Sequence, residues 1–349
     1  MNRVRVGVIG VGRMGKNHCR VYSMLRHADL VGIYDMNANS GQSLSEQYET
    51  RFFANLEELL AEVDAVSIAT PTPSHFDLAM LALRHRKHIL IEKPMTETLA
   101  QAYLLAAAAQ ESGKVVQVGH IERFNPTYGE LKHIVDNLSP LVINFRRLSP
   151  YAGSNTDVDV VLDLMIHDID LLLDLVGQQP ILCEATGISA LSGTIDHAIA
   201  TMHFANGLLL TVNASRVTEQ KVRSIEVIAR EAYVEGDLLS KSIAIHHSTI
   251  GEYQSNNQRG VKYRQEGYVE RIHVPASEPL FLEIQHFVDC VRHQTEPLVS
   301  AQQGVKTLEL AMQIRQQINR QLNLTNQMQV ALAPFLEQRT PAENAIYAG

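Results

Sequence analysis

Three side chains in this 349-residue sequence have the type and setting to move a proton and to stabilise a developing negative charge: Lys93, Asp163 and His167. Lys93 follows the apolar run His88–Ile91 inside Glu92-Lys93-Pro94, which places it at the carboxyl end of a strand with a proline fixing the turn. An ammonium there can donate to a substrate oxygen as charge forms on it; the ordinary alternative is a surface lysine at a strand end. Asp163 and His167 stand one helical turn apart. A carboxylate so placed can orient an imidazole and stabilise its cation, while the imidazole exchanges a proton with a hydroxyl near neutral pH. The plainer reading is a core helix with one solvated stripe, because Asp159, Asp163, His167, Asp170 and Asp174 recur at helical spacing among Val, Leu, Ile and Met. No metal site is expected, since the pair supplies two ligands and no cysteine or second histidine joins that face.

These groups need elements to hold them. Asp157–Gly177 has no glycine or proline before its last residue and suits a helix of about five turns. At the N-terminus, Val4–Ile9 reads as a buried parallel strand, followed by Gly10-Val11-Gly12-Arg13-Met14-Gly15, a helix to about Arg26, and a strand Leu30–Tyr34 ending at Asp35. This is the layout of a dinucleotide cradle. Gly10 permits the tight turn, Gly12 admits a pyrophosphate to the backbone, Gly15 lets helix and strand pack, and the helix start at Arg13 and Met14 offers free N–H groups. Asp35 suits the ribose 2′-hydroxyl of NAD and repels the 2′-phosphate of NADP, and Met36–Asn39 holds no arginine for that phosphate.

Strand and helix keep alternating to Val118, which predicts an α/β fold with a doubly wound parallel sheet over residues 1–120. Ligands in such sheets bind beyond the carboxyl ends of the strands, so Thr70, Pro71, His75 and Glu92 join the glycines and Asp35 on one cofactor rim. Gly119–Pro126 is the expected crossing. A helix Pro126–Asn137 and a strand Leu141–Leu148 lead into Asp157–Gly177. The period then changes to two: Ala198, Ala200, Met202 and Phe204 alternate before Asn206-Gly207, a hairpin turn, and Leu208, Leu210, Val212 and Ala214 alternate after it. Further strands are expected at Arg223–Ala229, Tyr233–Glu235, Ser242–His247 and Tyr268–His273, and helices at Pro279–His293 and Ala301–Leu322. Residues 121–322 therefore form a second, α+β domain with a mostly antiparallel open sheet, which commonly finds cover in another subunit. Residues 323–349 read as a polar tail.

The net charge of −8 argues against nucleic acid as a partner. Cys19, Cys183 and Cys290 are odd in number and far apart, so neither a disulfide framework nor a zinc pattern is expected. The start, MNRVRVGVIG, runs straight into a strand, and no apolar run reaches membrane-spanning length. These features point to a reducing, cytoplasmic compartment and no membrane.

GVIGVGRMG at Gly7–Gly15, ATPTPSH at Ala69–His75, Glu92-Lys93-Pro94 and DLMIHDIDLL at Asp163–Leu172 stand in an order and spacing that resembles the glucose–fructose oxidoreductase / inositol dehydrogenase / MocA (Gfo/Idh/MocA) family, over roughly Val4–Leu322. The resemblance implies that Lys93, Asp163 and His167 carry the chemistry, with His167 as general base and the Glu-Lys-Pro bend beside the nicotinamide of NAD. It also implies a homodimer or homotetramer formed through the antiparallel sheet. One departure is that Asp157-Val158-Asp159-Val160-Val161 replaces the family's glycine-rich lead-in. GHIERFNP at Gly119–Pro126 is similar to the subgroup that oxidises the 3-hydroxyl of UDP-N-acetylglucosamine, which implies a nucleotide-sugar substrate held in part by Arg123 and Asn125. Arg146, Arg147, Arg216, Lys221 and Arg223 are further basic residues available to a diphosphate. The same likeness implies an aminotransferase downstream, acting on the 3-keto sugar. Other readings within the family are another polyol, a free sugar or a tetrapyrrole as substrate, or an NAD-sensing regulator, which would not need Lys93, Asp163 and His167 intact.

Overall fold

The computed structural model describes residues 3–151, 158–253 and 262–336. The first part alternates as expected: β1 (Val4–Ile9), α1 (Arg13–Met24), β2 (Ala28–Tyr34), α2 (Ala38–Gln47), β3 (Arg51–Phe52), α3 (Leu56–Glu62), β4 (Ala65–Ile68), α4 (His75–Arg84), β5 (His88–Glu92), α5 (Leu99–Ser112) and β6 (Val116–Gly119). All pairings are parallel, in the order β3-β2-β1-β4-β5-β6. The order reverses between β1 and β4, so the crevice at the carboxyl edge opens between Gly10 and Thr70. β4 and β5 are buried throughout, because helices cover both faces of the sheet.

After a short 3₁₀ turn at Ile121–Phe124 come α6 (Pro126–Val135) and β7 (Pro140–Leu148). The chain then reaches α7 (Ile166–Val176) and seven strands: β8 (Leu182–Ile188), β9 (His197–His203), β10 (Leu209–Ser215), β11 (Val222–Ala229), β12 (Tyr233–Asp237), β13 (Ser242–Tyr253) and β14 (Lys262–His273). They form an eight-stranded sheet, β14-β13-β12-β11-β7-β10-β9-β8, antiparallel except between β7 and β10. The hairpin at Asn206-Gly207 is where the alternation places it, with Gly207 at φ 85° and all eight alternating residues buried. β8 was not anticipated, and β13 and β14 outrun their expected spans.

Three features depart from the sequence expectations. The helix around His167 is not one regular α-helix: Val161–Met165 forms a π-helical turn before α7 begins, and Gly177 ends α7 in the left-handed region at φ 72°. Next, α8 (Pro279–His293) packs under the first sheet, its Leu280, Ile284, Phe287 and Val288 sharing a core with Val4, Val6 and Val8 of β1. Last, α9 (Ala301–Leu336) runs well past Leu322, so the polar tail is helical through Leu336, and residues 337–349 lie outside the described residues. Val299, Ala301, Val305 and Leu308 pack on the first sheet, while Leu310, Ala311, Ile314 and Ile318 pack on the second, so α9 ties the two together.

Candidate active site

The cofactor rim is shaped by side chains that are missing. Gly10 lies at φ 87°, and a Cβ on it would meet Thr70 Cγ2 at 2.6 Å and Ala69 O at 2.9 Å. A Cβ on Gly15 would fall 1.9 Å from Gly10 O, so only glycine lets α1 start this close to β1. Gly12 faces open space within 4 Å and is the N-cap of α1, with no side chain bonded to the helix start and no acid in its first turn. That combination fits an anionic pyrophosphate over the N–H groups of Arg13 and Met14. Asp35 at the end of β2 accepts from Val11 N at 2.7 Å and from Asn37 N at 2.7 Å. Both oxygens are thereby aimed, and each keeps a lone pair for a ribose hydroxyl. These residues fit NAD.

Two residues expected to touch the cofactor do other work. His75 is buried, with Nδ1 2.9 Å from Pro94 O and Nε2 2.8 Å from Thr70 O. The ring sits between the loop after β4 and the bend after β5, with both nitrogens turned to protein carbonyls and its single N–H donating there. Glu92 puts Oε1 3.0 Å from His18 Nε2 of α1, and its Oε2 accepts from Lys93 N at 3.3 Å. Burial alone would raise its pKa, but the His18 hydrogen bond and the charges of His18 and Lys93 hold it below the usual carboxylate value. Thr70 stays at the rim, its Oγ1 accepting from Ser74 Oγ at 2.7 Å, and Pro71 caps the 3₁₀ turn Thr72–Ser74.

The structure brings Lys93, Asp163 and His167 together where β5 ends and α7 begins. Lys93 Nζ donates to the Asp163 carbonyl at 2.7 Å and lies 3.3 Å from Asp163 Oδ1. A π turn carries an extra residue and disturbs the regular carbonyl ladder, a device often met at functional sites, and here it presents the Asp163 carbonyl to an ammonium from the other sheet. The expected Asp163–His167 hydrogen bond does not form: the Asp163 carboxylate turns to Lys93, and His167 Nδ1 is buried without a partner. Nε2 is then the ring nitrogen open to the cleft. Burial, followed by the charges of Lys93 and Arg147, holds the His167 pKa well below 6.5, so the imidazole is neutral at pH 7 and can accept a proton.

Behind the site stands a frame of buried ion pairs. Arg147 on β7 donates Nη2 to Asp168 at 2.7 Å and Nη1 to Glu122 at 2.9 Å, and Arg223 on β11 reaches the same Glu122 oxygen at 2.9 Å. Arg123 pairs with Asp170 at 3.4 Å and Asp174 at 2.9 Å and donates to Leu298 O. Asn125 caps α6 through Thr127 N and donates to Glu122 and Leu238 O. Arg123 and Asn125, expected at the substrate, are placed by the structure as buried fasteners of α7 and α6, with Arg123 Nε left without a hydrogen-bond partner. The aspartate stripe is not solvated either. Asp159 caps the π turn through Val161 N and Leu162 N and pairs with Arg315 at 2.6 Å, while Asp170 and Asp174 hold Arg123. Arg216 pairs with Asp196 and donates to Ile195 O. Of the basic residues offered for a diphosphate, Arg147 and Arg216 are thus engaged in the interior, whereas Arg223 is half-buried at the rim. Asp157 lies outside the described residues.

The model of the oxidoreductase family with an NAD-binding Rossmann fold (Gfo/Idh/MocA) matches residues 4–120, and that family's C-terminal α/β-domain model matches residues 152–323. The chain belongs to the Gfo/Idh/MocA oxidoreductase family. It is 33% identical to the UDP-N-acetylglucosamine 3-dehydrogenase of Acidithiobacillus ferrooxidans, over 90% of this chain and 97% of that one. A solved structure of that enzyme superimposes with a TM-score of 0.82, at 32% identity, covering 91% of this chain and 98% of the other. The scyllo-inositol 2-dehydrogenase (NAD(+)) of Bacillus subtilis is 26% identical over 89% of this chain and 93% of its own. This member of the Gfo/Idh/MocA family is accordingly an NAD-binding oxidoreductase, with the cradle Gly10–Gly15 and Asp35 inside the matched Rossmann segment.

Proposed function

We propose that the protein oxidises the 3-hydroxyl of UDP-N-acetylglucosamine, or of a related nucleotide sugar, to a 3-keto sugar. The observation that carries this reading is a neutral imidazole, His167, held next to the Lys93 ammonium at the carboxyl edge of an NAD-binding sheet. The choice of substrate rests on the near full-length likeness to the Acidithiobacillus enzyme.

Bound NAD supplies the acceptor for the hydride that leaves the carbinol carbon. His167 Nε2 takes the hydroxyl proton as the C–H bond breaks, so oxygen forms a carbonyl without passing through free alkoxide. Lys93 donates to that oxygen while its other hydrogens stay on Asp163, which fixes the ammonium and balances its charge. Asp163 thus serves the lysine rather than the histidine. The proton on His167 returns to water, or to the ketone in the reverse direction. Retention of this charged set favours an enzyme over an NAD-sensing regulator.

The same reading divides the chain into an NAD unit at 1–120 and a substrate and assembly unit at 121–322. It also proposes a cytoplasmic homodimer or homotetramer formed through the open face of the eight-stranded sheet, and an aminotransferase that consumes the keto sugar. Among the described residues no helix is long and apolar enough to cross a membrane. Incubation with NAD and a panel of UDP-sugars, inositols and free hexoses tests the assignment by NADH absorbance. Turnover with UDP-N-acetylglucosamine and a trappable 3-keto product is the expected result. Turnover confined to inositols or free sugars overturns the substrate.

A further inference from the structure

At the amino-terminal edge of the parallel sheet, across the sheet from the NAD cradle, a cavity of about 490 Å³ opens between the start of β1, the turns after α4 and α5, and the end of α8. Five of its lining side chains are cations, Arg3, Arg86, Lys87, Lys114 and Arg292, against one acid, Asp64. The chain as a whole carries −8, so this is a marked local excess of positive charge.

Ordinary structural roles absorb only part of it. Asp64 is matched by Arg5, which donates Nε and Nη2 to it at 3.2 and 2.7 Å, and Arg292 pairs with Asp289 at 3.1 Å. The helices α4, α5 and α8 end at this edge, and each carboxyl end is worth about −0.5 charge, roughly −1.5 together. Arg3, Arg86, Lys87 and Lys114 exceed that. Lys87 Nζ donates to a carbonyl, Val63 O at 2.8 Å. Burial foremost, and then the neighbouring Arg5 and Lys114, depress the Lys87 pKa against the pull of Asp64. Burial and Lys114 likewise push His88 down to about 4.

Two details are specific to a binding role. His88 Nδ1 accepts from Val115 N at 3.0 Å, which fixes the ring proton on Nε2 and makes it a donor in the cavity wall. Arg86 sits at φ 58°, immediately after His85, the C-cap of α4. Glycine is the usual occupant of that position, because any side chain is disfavoured in the left-handed region. The chain keeps a guanidinium there.

We propose that this cavity binds a compact, multiply charged phosphate anion, held by Arg3, Arg86, Lys87 and Lys114 with the His88 Nε2–H as an additional donor. A single carboxylate would leave most of the charge unmatched, whereas a diphosphate offers several oxygens in the geometry that guanidinium forks favour. The site is separate from the glycine-rich loop, so its ligand does not compete with NAD.

The test uses the NAD-saturated protein, whose dinucleotide cradle is filled, titrated with inorganic pyrophosphate by calorimetry. A saturable site is expected, weakening steeply with added salt. In Lys114→Gln and in Arg86→Gly, binding should fall about tenfold or more, on the order of one lost charge contact in a partly buried site. Arg86→Gly relaxes the left-handed turn, so its melting temperature stays at or above that of the parent and lost binding is not unfolding. Absence of saturable binding, or binding unchanged in both variants, overturns the site. Orthophosphate binding as tightly as pyrophosphate overturns the diphosphate as the ligand.

Discussion

The cofactor rim and the substrate rim face each other across one crevice but are made of opposite materials. On the cofactor side the shape comes from atoms left out: Gly10 and Gly15 let backbone touch backbone, and Gly12 leaves open space over a helix start. On the substrate side it comes from charges put in. Asp168, Asp170 and Asp174 on α7 are held by Arg147 and Arg123, and Lys93 is held by Asp163. A cradle made of glycine tolerates a ligand's variable approach. A helix pinned through buried ion pairs fixes the rotation of α7 and so the direction in which His167 points. The second rim should therefore be the more fragile in chemistry and the first in affinity.

The largest effect that tests this contrast is His167→Ala. Loss of the general base should lower kcat by about 10²–10⁴-fold, while NAD affinity, measured by fluorescence titration, stays within about twofold because the cradle is untouched. An equal loss in both would make His167 part of the cofactor site and dissolve the distinction. Next comes the frame itself. Arg147→Met leaves Asp168 buried and without its cation, and removing one partner of a buried pair costs about 3–5 kcal/mol. Urea unfolding should show that loss. Arg147→Met combined with Asp168→Leu, with Glu122 kept on Arg223, should recover most of the stability without recovering turnover, if the frame exists to aim α7.

How far each rim was legible in the sequence follows from how its parts are connected. Gly10–Gly15 and Asp35 work through neighbours close along the chain, so spacing alone exposed them. The hairpin at Asn206-Gly207 was readable for the same reason, since its turn and both alternating strands adjoin. The partners of Arg123 and Asn125, among them Asp170, Asp174 and Leu238, could not be read because they are distant in sequence, and a basic residue awaiting a ligand looks the same there as one awaiting a buried aspartate. Arg147 could have been found: it falls on the core-facing register of β7, in step with Ile143 and Phe145, where an arginine demands buried acids. Nothing local announced the π turn at Val161–Met165, because one extra residue in a helix leaves no mark on composition. The solvated-stripe reading failed for a different reason: Asp159 is taken by Arg315, and Asp170 and Asp174 by Arg123.

The glycines permit a comparison within the cofactor rim. Gly15→Ala drives a Cβ to 1.9 Å from Gly10 O, a backbone atom that cannot yield, so α1 must shift. Overpacking of this kind costs about 1–3 kcal/mol or more, and both the melting temperature and NAD affinity should fall. Gly12→Ala meets no protein atom within 4 Å. Its melting temperature should stay near that of the parent without ligand, while NAD affinity drops because the methyl occupies the approach to the backbone. Equal melting-temperature losses in the two variants would mean that Gly12 is structural and the open space above it is not the pyrophosphate's.

The smallest expected effect is a displacement on the pH axis. Burial is the main reason that His167 stays neutral, and the Lys93 ammonium is the next. Lys93→Met removes the second cause and keeps the first, so the His167 pKa should rise but remain below 6.5. The acid limb of kcat/KM reports the free enzyme's base, and it should move to higher pH in the variant whatever happens to the plateau rate. The stability profile has a sign that follows from the same shift. Because the folded-state pKa is depressed, the unfolded chain takes the proton first as pH falls through about 6.5, and the fold loses stability down to the folded-state pKa. His120, buried and also depressed, acts in the same direction. Lys93→Met should therefore flatten that acid loss as well as shift the rate limb, and urea midpoints at pH 7 and pH 5 measure it. If the rate limb stays in place, Lys93 does not act electrostatically on His167, and its contribution to the site would be its hydrogen bonds to Asp163 and to the substrate oxygen.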